Sequence, residues 1–425
     1  MTWFSNIFLS SGNDFLPKAS LLIASWKEAL IFLLGIMFIW KWYKNKKFPV
    51  QFKKFDYYFL VFLGIAILSA IFITPSFIQA LWGLKYDFSF LALFYLIRGF
   101  SFTEKQKNIL LWTFFVSAFL VILWGSIVYN FLPKDFLLNF GYSDHVSSFN
   151  PEKPLPMYHI VGEGGTPRLA STFAGPNQFA FYLTVLISFL LSYISIHFFH
   201  EVRENILHKV TYFFQNFKNL EISKIIFFTI LMLLAFYSLF FTYSRSVWLA
   251  VSVVSFVFIL ITFQRELRMK LVFAGIIFKV LLLIFTTFFA YEYIQDNVMR
   301  SNSSSKHFLR TKVAIEEVIQ NPLGVGLGVA GPASIRFSEW DKENVSENWH
   351  IQMFQEFGWV GGIFYLLFLY NLFVYLYKKS KNDVFARGAF LALSGLVVAG
   401  VFLHSFEDSS TSLSLFLLMG LSDYE

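Results

Sequence analysis

Three short stretches of the chain carry residue types that bind an anion and accept a proton. Two contain an arginine, Arg168 and Arg245, and the third contains Glu347; each precedes or begins a long apolar run. A guanidinium group binds phosphate oxygens through charge-assisted, often bidentate, hydrogen bonds. A positioned carboxylate can take a proton from a hydroxyl group. We therefore expect the three stretches to build one site for an anionic substrate.

Each arginine has a functional and a structural interpretation. Arg168 is followed by Gly175-Pro176-Asn177, where an apolar run begins. A helix that starts at such a break exposes N–H groups and a positive dipole end, which favour an anion, so we expect Asn177 to bind substrate as well. The alternative is an ordinary helix N-terminus. Arg245 lies in a short turn between two apolar runs, where it is either functional or an interfacial arginine with a buried stem.

The longest polar interval, 301–361, contains the third stretch. It holds Arg310, then Asn321-Pro-Leu-Gly-Val-Gly-Leu-Gly, then Glu347-Asn348-Trp349-His350. We expect Glu347 to be catalytic and Arg310, Asn348 and His350 to bind substrate. A solvated loop carboxylate and a structural histidine are the alternatives. Lys85, near the start of another apolar run, is expected either to bind substrate or to pair with Asp87.

Composition places the chain in a membrane. Of its 425 residues, 56% are hydrophobic and only 14% are charged, with a mean hydropathy of +0.59, well outside the range of soluble domains. The sequence contains no cysteine, which excludes disulfides and thiolate metal sites. We expect an all-α polytopic protein with about 11 (10–12) transmembrane helices. The apolar runs start near Leu21, Tyr57, Leu81, Leu110, Thr172, Ile225, Val247, Leu271, Phe357 and Gly388, with a shorter run from Thr411 to Leu421.

Basic residues set the expected orientation. The connections on one side of the membrane carry 20 Lys and Arg, and the longer connections on the other side carry 11. The positive-inside rule makes the dense side cytoplasmic. We treat 1–425 as one membrane domain with a first outer loop at 133–171 and a large periplasmic loop at 292–356, which contains a short helix from Thr311 to Gln320. The N-terminus is expected outside and the C-terminus inside.

Three motifs in this order resemble the O-antigen ligase and polymerase superfamily of bacterial envelope enzymes. They are the segment from Arg168 to Asn177, the turn Thr242-Tyr-Ser-Arg245, and the glycine-rich block followed by Glu347-Asn348-x-x-Ile351-(x)4-Glu356-x-Gly358-x-x-Gly361. The resemblance implies a GT-C-like fold and a metal-independent inverting glycosyltransferase with no cofactor. It also implies that Arg168 and Arg245 bind the diphosphate of a polyprenyl-linked glycan at the outer face of the bacterial cytoplasmic (inner) membrane.

One position departs from the ligase branch of that superfamily. Where those proteins carry a histidine as the base, this chain has Glu347. We therefore expect a polymerase that joins lipid-linked repeat units, with an O-antigen ligase as one alternative and a flippase or transporter of lipid-linked oligosaccharide as another. Its expected partners are lipid-linked donor and acceptor glycans, membrane lipid and a candidate chain-length regulator, with no nucleic acid.

Overall fold

A computed structural model describes eight parts of the chain: 26–140, 142–143, 158–161, 166–199, 222–263, 301–331, 333–334 and 347–422. The apolar run expected near Leu271 lies outside these residues. The N-terminal 25 residues and, in the first outer loop, residues 141, 144–157 and 162–165 also lie outside them.

Helices dominate the described residues. In chain order they are α1 (Trp26–Asn45), α2 (Lys54–Phe72), α3 (Phe77–Gly83), α4 (Ser89–Arg98), α5 (Glu104–Phe131), α6 (Pro176–Phe199), α7 (Ile222–Phe241), α8 (Arg245–Thr262), α9 (Ser301–Gln320), α10 (Trp349–Lys379), α11 (Val384–Gly400) and α12 (Ser409–Gly420). A π-helical turn, Leu84–Phe88, joins α3 to α4.

The helices confirm a multi-pass membrane protein. Within the described residues, seven helical stretches are long and apolar enough to cross a membrane. They are Lys54–Phe72, Phe77–Arg98, Glu104–Phe131, Pro176–His197, Ser223–Phe241, Arg245–Thr262 and Trp349–Lys379. Helices α11 and α12 are apolar but shorter. The 12 residues of α12 span about 18 Å, so this helix alone cannot cross ~30 Å of hydrocarbon.

Helix α6 lies at the centre of the bundle. All residues from 179 to 190 are buried, because α6 packs against α7, α8 and α11. Glycines in α11 allow the close approach: a Cβ on Gly388 would lie 2.4 Å from the Phe189 ring, and one on Gly395 would lie 2.7 Å from Val254. Small residues serve membrane helices in this way because lipid offers little hydrophobic drive for association.

Helix α10 is broken near the membrane boundary. Gly358 has φ 66° and ψ −171°, a conformation that only glycine adopts readily. The first part of α10, Trp349–Phe357, mixes aromatic and polar residues, which is typical of a helix at the membrane interface, and the structure joins it to the span across this kink. The expected loop boundary at residue 356 therefore coincides with the kink rather than with the start of the helix.

The glycine-rich turn at 321–328 fills the gap that the kink opens. The Val325 N–H donates to the Gln355 carbonyl at 2.8 Å, and the Trp359 N–H donates to the Pro322 carbonyl at 3.0 Å. A Cβ on Gly324 would lie 2.5 Å from the Glu356 carbonyl oxygen. The turn therefore replaces the hydrogen bonds that a broken helix loses, and glycine is required for the two backbones to meet.

Two elements differ from the expectation. Helix α9 begins at Ser301, ten residues before the expected Thr311, and ends at Gln320 as expected before Asn321-Pro322. The first outer loop contains an antiparallel hairpin of β1 (His159–Val161) and β2 (Thr166–Arg168). These strands have three residues each, too few for a period-two pattern to reveal them.

At the opposite end of the bundle, two other arginines have structural roles. Arg98 makes a bidentate ion pair with Asp56, at 2.6 and 3.0 Å. Arg387 donates to the Ser380 carbonyl and to the Ser195 hydroxyl, both at 2.6 Å. Both arginines are buried and matched by partners within the protein, so they tie the helix ends together.

The kink yields a stability prediction. Gly358→Ala should lower the thermal midpoint of the purified protein, because its Cβ would lie 2.3 Å from the Pro322 carbonyl oxygen and a positive φ costs an L-residue about 1–3 kcal/mol. Gly64→Ala is the matched control: it lies within α2 with nothing within 4 Å of its Cβ, and alanine favours a helix by about 1 kcal/mol. Equal midpoints for the two variants would contradict this account.

The orientation is testable because the chain has no native cysteine. Asp135 and Asn382 are exposed and lie in connections at opposite ends of the bundle. A cysteine at position 135 should react with an impermeant thiol reagent added to intact cells, and one at 382 should react only after the cells are opened. The reverse pattern would overturn the assignment of the outer face.

Candidate functional site

Arg168 and the turn before α8 come together, as the sequence predicts. Arg168 Nε donates to the Thr242 carbonyl at 2.7 Å, and its Nη2 donates to Asn177 Oδ1 at 2.9 Å. The adjacent backbone forms a second link, from the Leu169 N–H to the Phe241 carbonyl at 2.9 Å. One arginine thus joins the hairpin, the start of α6 and the α7–α8 turn, and Asn177 orients its guanidinium group.

Arg245 is the first residue of α8. A cation at a helix N-terminus opposes the helix dipole, which favours anions there. Ser244 precedes it with its hydroxyl buried and without a hydrogen-bond partner among the described residues. Tyr243, before that, has a positive φ of 50°. Such a turn costs free energy, and an anion that accepts a hydrogen bond from the Ser244 hydroxyl would offset part of that cost.

A cavity of about 260 Å³ opens beside Arg168. Its walls come from the end of α5, the hairpin and the segment before α6, and include Lys134, Tyr142, Tyr158, His159, Ala170 and Phe173. Burial lowers the pKa of His159, and the charge of Arg168 lowers it further, while a hydrogen bond with the Ala174 carbonyl opposes them. His159 is therefore uncharged at neutral pH, and Arg168 and Lys134 supply the positive charge of this wall.

Glu347 lies just before α10 and contacts two basic side chains of α9. Its Oε1 accepts a hydrogen bond from Arg310 Nη1, and its Oε2 contacts His307 Nδ1. Burial alone would raise the pKa of Glu347, but the hydrogen bond from His307 and the charges of His307, Arg310 and His404 outweigh it and lower the pKa. Glu347 is therefore an ionised, half-buried carboxylate.

One face of α9 positions these basic side chains. His307, Arg310 and Glu317 recur at helical spacing, so they project from the same side. Glu317 Oε2 accepts from Gln355 Nε2 of α10 at 2.6 Å. Ala314 and Val318 are buried. The same contact that fixes α9 against α10 therefore sets the distance between Arg310 and Glu347.

Asn348 and His350 form hydrogen bonds that hold the start of α10 in place. Asn348 Oδ1 accepts from the His350 and Ile351 N–H groups, both at 3.0 Å, while its Nδ2 donates to the Val401 carbonyl at 2.8 Å. His350 Nε2 lies 2.8 Å from the Val397 carbonyl, which can only accept, so this nitrogen carries the proton. Its Nδ1 then accepts from the Tyr365 hydroxyl at 2.8 Å. Contact of either side chain with substrate stays a prediction and would require exchange of these bonds.

Lys85 does not pair with Asp87. It forms an ion pair with Glu28 of α1 at 3.0 Å and lies 4.8 Å from the centre of the Trp82 ring. The π-helical turn sends Asp87 the other way, into the protein, where Gln352 Nε2 lies 3.4 Å from its Oδ1. The role of Lys85 in binding substrate stays a prediction.

Buried carboxyl groups surround Gln352. Its Nε2 also donates to Glu407 Oε1 at 2.8 Å. Glu356, fully buried, accepts from the Ala330 and Gly331 N–H groups at 3.2 Å each. Asp87 and Glu356 form a side-chain hydrogen bond with each other, and one oxygen of Glu407 is buried without a partner among the described residues. The Glu356 carboxyl thereby holds the end of the glycine-rich turn at the base of α10.

Sequence reasoning missed His307, His159 and Glu407. The i, i+3 spacing of His307 and Arg310 on a helix that ends at Asn321-Pro322 could have paired them. Nothing in the sequence places His159 opposite Arg168, since that register depends on the hairpin. Glu407 meets Gln352 only because the connection between α11 and α12 folds over the start of α10.

Comparison with known proteins identifies a family for one part of the chain. Residues 230–366 match the family model described as O-Antigen ligase. This part of the chain is an O-antigen ligase family domain. It contains Arg245, Arg310, Glu347 and His350, whereas Arg168 and Asn177 precede it. No curated protein matches the chain in sequence. The resemblance read from the motifs is thus confirmed for the O-antigen ligase family domain, and a glycan-transferring enzyme is the activity that this family implies.

The arginine contacts yield the next prediction. Arg168→Ala and Arg245→Ala should each lower glycan transfer at least a hundredfold, the typical loss on removing a preorganised donor to a developing anion. Arg168→Lys should recover little, because a lysine cannot contact Thr242 and Asn177 together in the arginine's geometry. Transfer should be measured at equal amounts of folded, membrane-inserted protein.

Arg98→Lys is the control, since Arg98 lies at the opposite end of the bundle; it should affect stability and leave the transfer rate per folded molecule unchanged. Wild-type transfer by Arg168→Lys or by Arg245→Ala would show that the arginine geometry is not required.

Proposed function

We propose that the protein is a polymerase of lipid-linked polysaccharide repeat units in the bacterial inner membrane. It would transfer glycan from a polyprenyl diphosphate to a sugar hydroxyl of another lipid-linked unit, with inversion and without a metal. The observation that carries this proposal is the placement of Arg168, the Arg245 turn and an ionised Glu347 at one end of a bundle that contains an O-antigen ligase family domain.

In this proposal the arginines act on the leaving group. The acceptor oxygen forms a bond to the anomeric carbon while the bond from that carbon to the diphosphate oxygen breaks. Negative charge grows on the diphosphate, and preorganised guanidinium groups stabilise it. Arg168 is held by Thr242 and Asn177, so little reorganisation is needed. The cavity beside Arg168 would take the diphosphate and the adjoining part of the lipid.

Glu347 would receive the proton of the acceptor hydroxyl. Its pairing with Arg310 and His307 keeps it ionised and fixes its carboxylate plane. That pairing also makes Glu347 a weaker base. A weak base suits a reaction in which the hydroxyl oxygen first begins to bond to the electron-poor anomeric carbon and loses its proton afterwards. A positioned base of this kind contributes roughly a hundred- to ten-thousand-fold.

An O-antigen ligase is the second candidate. The description of the matching family model favours it. The carboxylate at position 347, where the motif resemblance places a histidine in ligases, favours the polymerase. The two share the donor and the arginines and differ in the acceptor, which is lipid A-core or protein for a ligase and a second lipid-linked unit for a polymerase.

A transporter of lipid-linked oligosaccharide is the alternative from another class. Transporters place charged or broken-helix positions near the middle of the membrane. Here the helix break and the ionisable groups of the site gather at one end of the bundle. That distribution supports chemistry at a membrane surface over passage through it.

Reconstitution would decide among the three. Proteoliposomes containing the protein and a lipid-linked repeat unit should produce a ladder of longer lipid-linked glycans and release polyprenyl diphosphate. Glu347→Gln should reduce both at least a hundredfold with the lipid-linked donor still bound. Transfer only when lipid A-core is added would identify a ligase, and movement of unaltered lipid across the bilayer would identify a transporter.

The ion pair of Glu347 yields a prediction of pH dependence. If the ionised carboxylate is the active form, activity falls as the pH drops through its pKa, which the basic neighbours lower. Removing one neighbour weakens that effect, so the pKa rises and the acid limb of the pH–rate profile moves to higher pH in Arg310→Gln. Lys312→Gln is the matched control: the same helix carries Lys312, with its side chain 65% exposed, and its profile should match the wild type. An unchanged acid limb in Arg310→Gln would remove Glu347 from the role of base.

A further inference from the structure

A second cavity lies next to the end of the connection between α11 and α12. It measures about 150 Å³ and is formed where α1, the π-helical turn and the start of α12 meet. Its walls are mainly polar and include Lys27, Glu28, Lys85, Ser89, Glu407 and Ser409. None of these residues belongs to the contacts of Arg168 or Glu347 described above.

The wall of this cavity combines ammonium and carboxyl groups, and burial raises the pKa of the Glu407 carboxyl well above its usual range. Lys85 pairs with Glu28 at 3.0 Å, and Lys27 Nζ donates to Ser409 Oγ at 2.6 Å. Two ammonium groups and two carboxyl groups thus face one small space. A free cation would meet the lysines and a phosphate would meet the carboxyl groups, so neither is favoured by the whole wall.

Unsatisfied acceptors remain in the wall. Glu407 is only 8% exposed, and its Oε1 is occupied by Gln352 while its Oε2 has no partner among the described residues. Glu28 Oε2 is likewise buried and unpaired within the described part of the chain. Burying a polar group without a partner is unfavourable, so this cavity favours a guest whose groups both donate and accept hydrogen bonds.

A sugar carries the hydrogen-bond donors and acceptors that such a wall requires. Each sugar hydroxyl both donates and accepts, so one uncharged ring can donate to Glu407 and Glu28 while it accepts from Lys27 and Lys85. The volume suits a single ring and excludes an oligosaccharide. The aromatic ring of Tyr86 lines the same space and can pack against the apolar face of a sugar.

The cavity is also connected to the proposed base. The segment 401–408 follows α11, and Asn348, next to Glu347, donates to its first carbonyl, that of Val401. His404 in this segment acts electrostatically on Glu347. Glu407, three residues later, reaches the cavity. A short segment therefore links the environment of Glu347 to this wall.

We infer that this cavity is a subsite for one uncharged sugar ring of the glycan, bound through its hydroxyl groups by Glu407, Glu28, Lys27 and Lys85. The inference rests on the proposed function, because it assumes a glycan substrate, but it concerns residues that the diphosphate and the base do not use. The ring belongs to either the donor or the acceptor glycan, and the test separates these sources.

Cysteine protection tests the subsite without knowledge of the sugar sequence. Ser89→Cys places a partly exposed thiol in the cavity wall, and Ala170→Cys places one in the wall beside Arg168. Each single-cysteine protein is reconstituted and its reaction rate with a small charged methanethiosulfonate is measured. The probes are polyprenyl diphosphate without sugar, polyprenyl-diphosphate-linked oligosaccharide, and the same oligosaccharide released from its lipid.

We expect the sugar-bearing lipid to slow labelling of Ser89→Cys at least fivefold and sugar-free polyprenyl diphosphate to leave it unchanged. Ala170→Cys should be protected by both lipids. If excess sugar-free polyprenyl diphosphate, which competes for the site beside Arg168, abolishes the protection of Ser89→Cys by the lipid-linked oligosaccharide, the ring belongs to the donor; if the protection remains, the ring belongs to the acceptor. Protection by the released oligosaccharide would show that the ring binds without its lipid. Adding Glu407→Gln to Ser89→Cys should abolish most of the protection while the thermal midpoint stays near that of Ser89→Cys.

Three results would overturn the subsite. Equal protection of Ser89→Cys by sugar-free polyprenyl diphosphate would identify a lipid or phosphate site. A thiol at position 89 that does not react without any lipid would show a closed space. No protection at position 89 with protection at 170 would remove the subsite and leave the proposed function standing, whereas no protection at either position would count against the proposed function itself.

Discussion

The structure depends on the replacement of hydrogen bonds at the break in α10. A helix interrupted at the membrane boundary leaves carbonyl groups without partners where water is scarce, at several kcal/mol for each. Val325, Gly326 and Ser69 supply donors to Gln355 and Glu356, and Trp359 donates in return to Pro322. The break therefore persists only with the 321–328 turn in place. Because that turn follows α9 directly, the same contacts bring Arg310 and His307 to Glu347.

The two ends of the bundle differ in how their arginines are surrounded. At one end Arg98 and Arg387 are buried among fixed acceptors. Hydrogen bonds to these acceptors offset the cost of burying the two charges. At the other end Arg245 begins a helix whose dipole disfavours it, beside a buried Ser244 hydroxyl without a partner among the described residues. Arginines of the same chemistry therefore have different surroundings at the two ends, fixed acceptors at one end and the unfavourable end of a helix dipole at the other. This contrast is one reason for proposing an anion site near Arg245.

The sequence predicted the features that depend on hydrophobic runs and on local turn residues, namely membrane spans and helix ends. Long apolar runs located seven spans, the Pro-Asn break located the start of α6, and Asn321-Pro322 located the end of α9. The turn residues and the order of motifs also placed Arg168 near the Arg245 turn. Contacts between distant segments were beyond such reasoning. Lys85 has Asp87 two residues away, yet a π-helical turn directs the two side chains apart, and Lys85 instead meets Glu28 of another helix.

The role of Glu347 illustrates why the pattern alone could not decide between a solvated carboxylate and a base. The motif suggests that its sequence neighbours, Asn348 and His350, act together with Glu347. In the structure both instead form hydrogen bonds that hold α10 and α11 together. The groups that set its charge come from α9 and from His404, far away in sequence. A carboxylate held by two basic residues is stable in its ionised form, and in the proposed mechanism it would exchange one of them for a substrate hydroxyl. The charge of Glu347 therefore depends on how α9 packs against α10. That packing in turn depends on the 321–328 turn, which fills the break in α10.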